Sequence, residues 1–350
     1  PRTFRIPAMR LAFPLAPAQV AAILRRKRTS GNIVMSRPQN LLQGVFLALL
    51  GFGLFSGHDA IIKSLGGVYA PFQVMLFATL FSFVPVSVSI VTDRAVDTFR
   101  PHHPWLILIR TVCMLIAGAG GFYAFTVLPM TEVYALLFAA PLLVTVLAVP
   151  FLGETIRLRR GLAVIVGFIG VLVVLRPGAT ELTLGHFAAL GAATASAFSN
   201  IIVRKISGEE RSAVMILIPM IVTIITMGAL MPWVYVPVEM IDLGAFAAIG
   251  VIGVIAQTFI IGAYRAAPAV LIAPLQYSQI LWAVLFGAVF FAEWPDIWVG
   301  VGATIIISSG MFIVWRESRL NVSARSPVTS ASNPRPDSGP SMRPTGVQRD

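Results

Sequence analysis

Polar and aromatic side chains concentrate in one apolar stretch near residue 280, and together they could bind a small molecule. Gln276 and Gln279 are three residues apart, so on a helix they share a face, with Tyr277 and Trp282 to either side. A glutamine in lipid would leave four hydrogen-bonding positions unused, so each amide should face a cavity or another helix. Amides beside aromatic rings suit a flat aromatic or heteroaromatic ligand. The alternative is that the amides only join helices, and Gln257 is open to the same two interpretations.

A second set of polar residues could bind a proton or contact the same ligand. His58 and Asp59 are adjacent in another apolar stretch and shortly precede Lys63. An ionisable group inside a membrane is costly, so a functional pair would face a cavity, whereas a structural pair would lie at the wet end of its helix. Glu132 and Tyr134 lie at the start of a further apolar stretch. The carboxylate of Glu132 can be explained by structure alone, because the N-terminus of a helix favours a negative charge. His58, Asp59 and Tyr134 are therefore candidate substrate-binding residues.

Motifs that carry enzyme chemistry are not found in this sequence. It contains no His-Glu-x-x-His zinc motif, no Gly-x-Ser-x-Gly nucleophile turn and no glycine-rich phosphate loop. We therefore predict no catalytic residue, no metal site and no cofactor. A membrane-embedded enzyme or lipid-handling protein is the alternative from another class, and it would need a cluster of catalytic polar groups at one membrane face.

The composition requires lipid around most of the chain. Of the 350 residues, 57% are hydrophobic and only 12% are charged, whereas a soluble domain has about 25% charged residues. The net charge is +11, but Lys and Arg lie in short loops and tails instead of forming one basic face, which argues against nucleic acid. The one cysteine, Cys113, rules out an intramolecular disulfide. The predicted partners are the lipid bilayer and a small-molecule substrate.

Ten apolar runs are each near the length of about 20 residues that a helix needs to cross the hydrocarbon core. A strand would leave backbone groups unpaired in lipid, so the predicted fold is an all-α polytopic membrane protein. The predicted transmembrane helices are 41–63, 70–92, 105–127, 130–152, 161–176, 183–203, 212–233, 244–264, 268–291 and 297–315.

Basic residues near the ends of these helices predict their orientation. Seventeen Lys and Arg lie on the side of the two termini, against two on the other side, Lys63 and Arg176. By the positive-inside rule, both termini face the cytoplasm. We expect a multi-pass protein of the bacterial inner membrane.

The second half of the chain repeats the first. Three residues recur at a shift of 139 positions: Pro129, Glu154 and Gly161 as Pro268, Glu293 and Gly300. Four more recur at a shift of 140: Gly51, Ser56, Ile61 and Ile62 as Gly191, Ser196, Ile201 and Ile202. Each repeat contains five helices, an odd number, so the second copy must insert upside down. Two inverted repeats, 41–177 and 182–316, are typical of a transporter with a central site that opens alternately to each side.

The two ends of the chain do not belong to the repeats. Residues 1–40 are interpreted as a cytoplasmic extension, because Pro14 and Pro17 interrupt the part that imitates a signal peptide. Met35 is the expected true start. Residues 322–350 are rich in Ser, Pro and Arg, which predicts a disordered cytoplasmic tail.

Over about residues 41–316 the chain resembles the ten-helix EamA-type members of the drug/metabolite transporter superfamily. The resemblance rests on a pattern present twice: Pro opens the fourth helix of a repeat, and Glu, a short turn and a helix-opening Gly follow. Ala292 departs from the glycine that the family has before Glu293. The resemblance implies a secondary transporter of a small organic metabolite, and the chain looks most similar to the bacterial riboflavin importers.

Riboflavin or a similar aromatic metabolite is thus the expected substrate, with export of amino acids or drugs as the alternative within the superfamily. A channel or sensor is a third possibility, against which the inverted repeat argues. The expected assembly is a monomer or a homodimer.

The topology can be tested with reporter fusions. A reporter that is active only in the cytoplasm should work when it is fused after Arg319, and a periplasm-only reporter should work near Leu184. Both follow from the distribution of Lys and Arg. Periplasmic activity after Arg319 would contradict the ten-helix topology.

Overall fold

The computed structural model describes residues 40–92, 101–154, 156, 158–179, 181–206 and 209–320. Within these ranges ten helical spans are long and apolar enough to cross a membrane, which confirms the all-α polytopic prediction. The predicted N-terminal extension up to residue 39 and the predicted tail lie outside the described residues. The helices are α1 (Leu41–Leu65), α2 (Pro71–Thr92), α3 (Pro104–Val127), α4 (Met130–Leu137), α5 (Ala139–Leu152), α6 (Leu158–Leu175), α7 (Leu184–Ile206), α8 (Ser212–Val234), α9 (Met240–Ala266), α10 (Ala269–Ile272), α11 (Gln279–Phe291) and α12 (Ile297–Leu320).

The fourth and ninth spans are interrupted, and the prediction that each is one continuous helix is wrong. Phe138 separates α4 from α5, because Pro141 has no N–H for the carbonyl of Leu137 and its ring crowds that carbonyl. In the ninth span a 3₁₀ segment, Ala273–Ser278, separates α10 from α11 and begins around Pro274. The interruptions fall at matched positions, since Phe138 and Tyr277 are 139 residues apart.

The two repeats are interlocked instead of lying side by side. The first span, α1, packs mainly against α9, and its counterpart α7 packs mainly against α3. Glycine allows the close approach, because a Cβ on Gly51 would lie 3.1 Å from the carbonyl oxygen of Ala256. The fifth spans of the two repeats, α6 and α12, pack on each other, and a Cβ on Gly302 would lie 2.7 Å from the oxygen of Gly170. Each repeat therefore supplies part of the packing surface of the other.

The helices α5 and α11 end in the same turn. Gly153 and Ala292 both adopt left-handed backbone conformations, with φ of 68° and 53°. The next residue, Glu154 or Glu293, donates its N–H to the carbonyl six residues earlier, at 3.2 and 2.9 Å. A left-handed residue commonly ends a helix, and here the N–H that follows it returns to the last turns of the helix. The two glutamates thus leave their helices with matching geometry.

Replacing Ala292 by glycine should stabilise the protein. An L-residue in the left-handed region costs roughly 1–2 kcal/mol, and glycine gives back about 0.4–1 kcal/mol through the entropy of the unfolded chain. Ala292→Gly should therefore raise the free energy of unfolding by about 0.5–1 kcal/mol. Gly153→Ala is the matched control and should lower it. Thermal unfolding in detergent measures both, and equal midpoints for the two variants would disprove the strain at Ala292.

Candidate substrate-binding site

The interruptions of the fourth and ninth spans meet at the centre of the bundle. The rings of Phe138 and Tyr277 are in edge-to-face contact, with centroids 5.0 Å apart. They are each other's counterpart in the two repeats, and a residue that touches its own counterpart must lie beside the pseudo-two-fold axis that relates the repeats. Tyr134 lies 6.1 Å from Phe138 and 5.4 Å from Phe125, ring centre to ring centre. An aromatic group therefore surrounds the axis, where transporters of this architecture bind their substrates.

The structure brings Tyr134 to the polar pair on α1. Its hydroxyl donates a hydrogen bond to Asp59 Oδ2 and lies 3.1 Å from Ser56 Oγ. On the other side, His58 Nδ1 lies 2.9 Å from Asp59 Oδ1. His58 and Asp59 are 2% and 3% exposed. This burial matches the functional interpretation of the pair better than the interpretation of two residues at a wet helix end.

The 3₁₀ segment of the ninth span carries buried polar atoms without a partner in the described part of the chain. Gln276 is 6% exposed, and its Nε2 makes no hydrogen bond there. The hydroxyl of Ser278 is also buried and makes no hydrogen bond within the described residues. Gln279, at the start of α11, is 2% exposed. A buried polar group left unpaired costs roughly 1–3 kcal/mol, so this segment is suited to a ligand that completes its hydrogen bonds.

Of the other predicted site residues, Tyr277 belongs to this segment, Trp282 lies on α11 and Gln257 lies on α9. The Tyr277 hydroxyl is seated against α12 at Gly310, where a Cβ would lie only 1.8 Å from it. Trp282 packs on α1, because a Cβ on Gly53 would lie 3.0 Å from its ring, and it stacks with the ring of Phe286. Gln257 is half-buried on α9. Tyr277 is thus part of the central aromatic group, whereas Trp282 lies at the contact between α1 and α11.

The predicted site residues did not include four residues of this candidate site: Ser56, Phe138, Ser278 and Gly310. The sequence held a signal for three of them, since Ser56 has a counterpart at Ser196, Phe138 is the counterpart of Tyr277, and Ser278 is a polar residue between Tyr277 and Gln279. Gly310 becomes visible only through its neighbours in space.

With this geometry in view, comparison with known proteins identifies the first repeat: residues 37–176 match the EamA-like transporter family. The chain carries an EamA domain. It is 28% identical to an S-adenosylmethionine uptake transporter of Rickettsia conorii, over 79% of this chain and 94% of that one. It is 29% identical to a riboflavin transporter of Vibrio cholerae, over 81% and 97% of the two chains. A pseudopaline exporter of Pseudomonas aeruginosa is 23% identical, over 76% and 94%.

A solved structure supports the same fold. The match covers 81% of this chain and 99% of the solved chain, with a TM-score of 0.55 and 19% sequence identity. The EamA domain, together with these relatives and the ten spans, confirms the resemblance to the drug/metabolite transporter superfamily. The chain is therefore a multi-pass membrane transporter of a small metabolite.

The position of Tyr277 should depend on Gly310. Gly310→Ala forces the added methyl group into the Tyr277 hydroxyl, and such overpacking costs about 1–3 kcal/mol. The thermal unfolding midpoint should therefore fall, and adding Tyr277→Phe should restore part of it by removing the clashing oxygen. Gly300→Ala in the same helix is the control, because its Cβ would meet nothing within 4 Å. Equal midpoints for the two alanine variants would disprove the contact.

Proposed function

We propose that this chain carries a small heteroaromatic metabolite across the bacterial inner membrane by alternating access, with both termini in the cytoplasm. The supporting observation is the Nε2 of Gln276 in the central interruption of the ninth span, a buried donor that has no partner among the described residues. An acceptor atom on a ligand would satisfy this donor. The hydrogen bond that Gln276 gains would then contribute to the free energy of binding.

The surroundings of Gln276 favour a flat ring with polar edges. The amides of Gln276 and Gln279 and the Ser278 hydroxyl supply donors and acceptors on the side of the second repeat, while Tyr277 and Phe138 supply aromatic faces. Ring nitrogens and carbonyl oxygens of a heteroaromatic metabolite would accept from these donors, and the rings would cover its faces.

Two metabolites named for relatives of this chain have this chemistry. Riboflavin, our preferred substrate, and S-adenosylmethionine both contain a fused nitrogen heterocycle. They differ in charge, because S-adenosylmethionine carries a sulfonium and riboflavin carries no cation. The Asp59 carboxylate would attract the sulfonium of S-adenosylmethionine, whereas riboflavin has no cation for it to attract. Asp59→Asn, which barely changes the shape, should therefore affect S-adenosylmethionine transport far more than riboflavin transport.

The alternatives make different predictions in the same experiment. Radiolabelled riboflavin or S-adenosylmethionine is added outside proteoliposomes that contain the purified protein, with and without a proton gradient, and its entry is measured. An exporter of amino acids or drugs would move neither compound, and a membrane-embedded enzyme would return a chemically altered product. Uptake that saturates and depends on the gradient is the result expected of a secondary transporter.

Gln276→Ala and Gln279→Ala should each weaken transport. Removing one hydrogen-bond partner of the substrate costs ~1–3 kcal/mol, which is about ten- to hundredfold in apparent affinity. Val289→Ala on α11 is the control, because Val289 is 66% exposed and should tolerate the change. Initial uptake rates, normalised to the protein in the membrane, measure the effect. If both glutamine variants transport normally, the amides are only helix contacts and the proposed site is wrong.

A further inference from the structure

Two glutamates at matched positions reach across to the other repeat. Glu293 follows α11, and its Oε1 lies 2.8 Å from the Nζ of Lys63 near the end of α1. Glu154, 139 residues earlier, follows α5 and pairs with Arg204 near the end of α7. Because α7 is the counterpart of α1, the two ion pairs are images of each other. Each joins the fourth span of one repeat to the first span of the other.

The two ion pairs lie at opposite membrane faces. We call the face where α1 begins and α12 ends the terminal face, and the other the distal face. Following the spans along the chain puts Lys63 and Glu293 at the distal face and Glu154 and Arg204 at the terminal face. The Lys63 and Arg204 side chains are only 9% and 5% exposed. Their attraction to the carboxylates is therefore stronger than in a pair open to water.

One member of each pair has a further partner within its own repeat. Lys63 also donates hydrogen bonds to the carbonyl oxygens of Leu128 and Phe125, at 2.7 and 3.3 Å, both in its own repeat. Glu154 Oε2 lies 3.7 Å from Arg160 Nη1, again in its own repeat. These contacts remain if the repeats part at one face. They lower the free energy of opening, because an ion left alone in a protein interior is costly.

The distal pair is one helical turn from the central site. Lys63 is four residues after Asp59 on α1, and Met130, whose N–H donates to Glu293 Oε2 at 3.2 Å, is four residues before Tyr134 on α4. One turn advances about 5.4 Å along a helix. The Tyr134–Asp59 hydrogen bond therefore joins α1 to α4, and one turn away Glu293 contacts both of these helices, through Lys63 and through the Met130 N–H. A movement of α1 against α4 at the site would therefore also displace the residues of the ion pair.

We propose that these ion pairs are the two gates of the transporter: Lys63–Glu293 closes the distal face, and Glu154–Arg204 closes the terminal face. The inference rests on the alternating access proposed above, which requires that one face opens while the other stays closed. It assigns the glutamates of the repeated motif a function in transport.

The gates can be tested by cysteine labelling, which needs no substrate. In a Cys113→Ser background, Ser56→Cys and Ser196→Cys place matched reporters on α1 and α7, both buried in this structure. A membrane-impermeant maleimide is applied to right-side-out and inside-out vesicles. Glu293→Gln should speed labelling of Ser56→Cys from the distal face about tenfold, the result of losing ~1.4 kcal/mol of closure. Glu154→Gln should do the same for Ser196→Cys from the terminal face.

A third ion pair provides the matched control. Arg176 and Asp296 pair at the distal face, but they follow α6 and precede α12, which stay packed through Gly170 and Gly302. Asp296→Asn should therefore leave both labelling rates unchanged. The proposal is overturned if neither glutamine variant changes its reporter, if each raises labelling from both faces equally, or if Asp296→Asn has the same effect.

The design separates the gates from the substrate. Rates at the two faces are measured independently, so if one reporter prevents folding, the other still tests its own gate. A protein that transports neither riboflavin nor S-adenosylmethionine can still show the gated labelling. The converse result is that the variants leave both labelling rates unchanged while riboflavin uptake by the unmodified protein is normal. That result would reject the gates and leave the proposed function in place.

Discussion

Every backbone N–H and C=O in the hydrocarbon core must find its hydrogen-bond partner inside the protein. Continuous helices meet this requirement by themselves, but the fourth and ninth spans are interrupted at Phe138 and at the segment Ala273–Ser278. Irregular backbone is tolerated at membrane depth only where protein surrounds it or where it lines a cavity. Phe138 and Tyr277 are 2% and 8% exposed, so both interruptions are enclosed by the bundle. The interlocked packing of the repeats is what encloses them.

The enclosed interruptions also determine where polar chemistry can be placed. The first repeat contributes a carboxylate, Asp59, held by Tyr134, and the second contributes the amides of Gln276 and Gln279. The interruptions fall at matched positions of the two repeats, but the polar side chains around them differ. A substrate bound there would meet an acidic group on one side and neutral donors on the other. Such a site can orient an asymmetric metabolite, because each end of the ligand has its own partner.

The same backbone turn occurs in both repeats and places a glutamate at each membrane face. Gly153 and Ala292 take the same left-handed conformation although only one is a glycine, and the glutamates that follow them point to opposite membrane faces. A symmetric backbone feature thus produces one ion pair at each face. At the distal face a further contact, between Glu132 Oε1 and His186 Nε2 at 2.9 Å, also joins the repeats. Glu132 lies in the first turn of α4, where the helix N-terminus favours a carboxylate.

The sequence by itself determined the ten spans and the duplication, and it pointed to most of the polar residues of the candidate site. Span length and the recurrence of Pro, Glu and Gly are properties of the chain order, and a glutamine or aspartate stands out in an apolar run. Only the tertiary structure decided the interruption at Phe138, the pairing of Tyr134 with Asp59 and the partners of Glu154 and Glu293. The physical reason is that a transmembrane helix is apolar on its lipid face and on its packing face alike. Its sequence therefore does not show which distant helix it will meet.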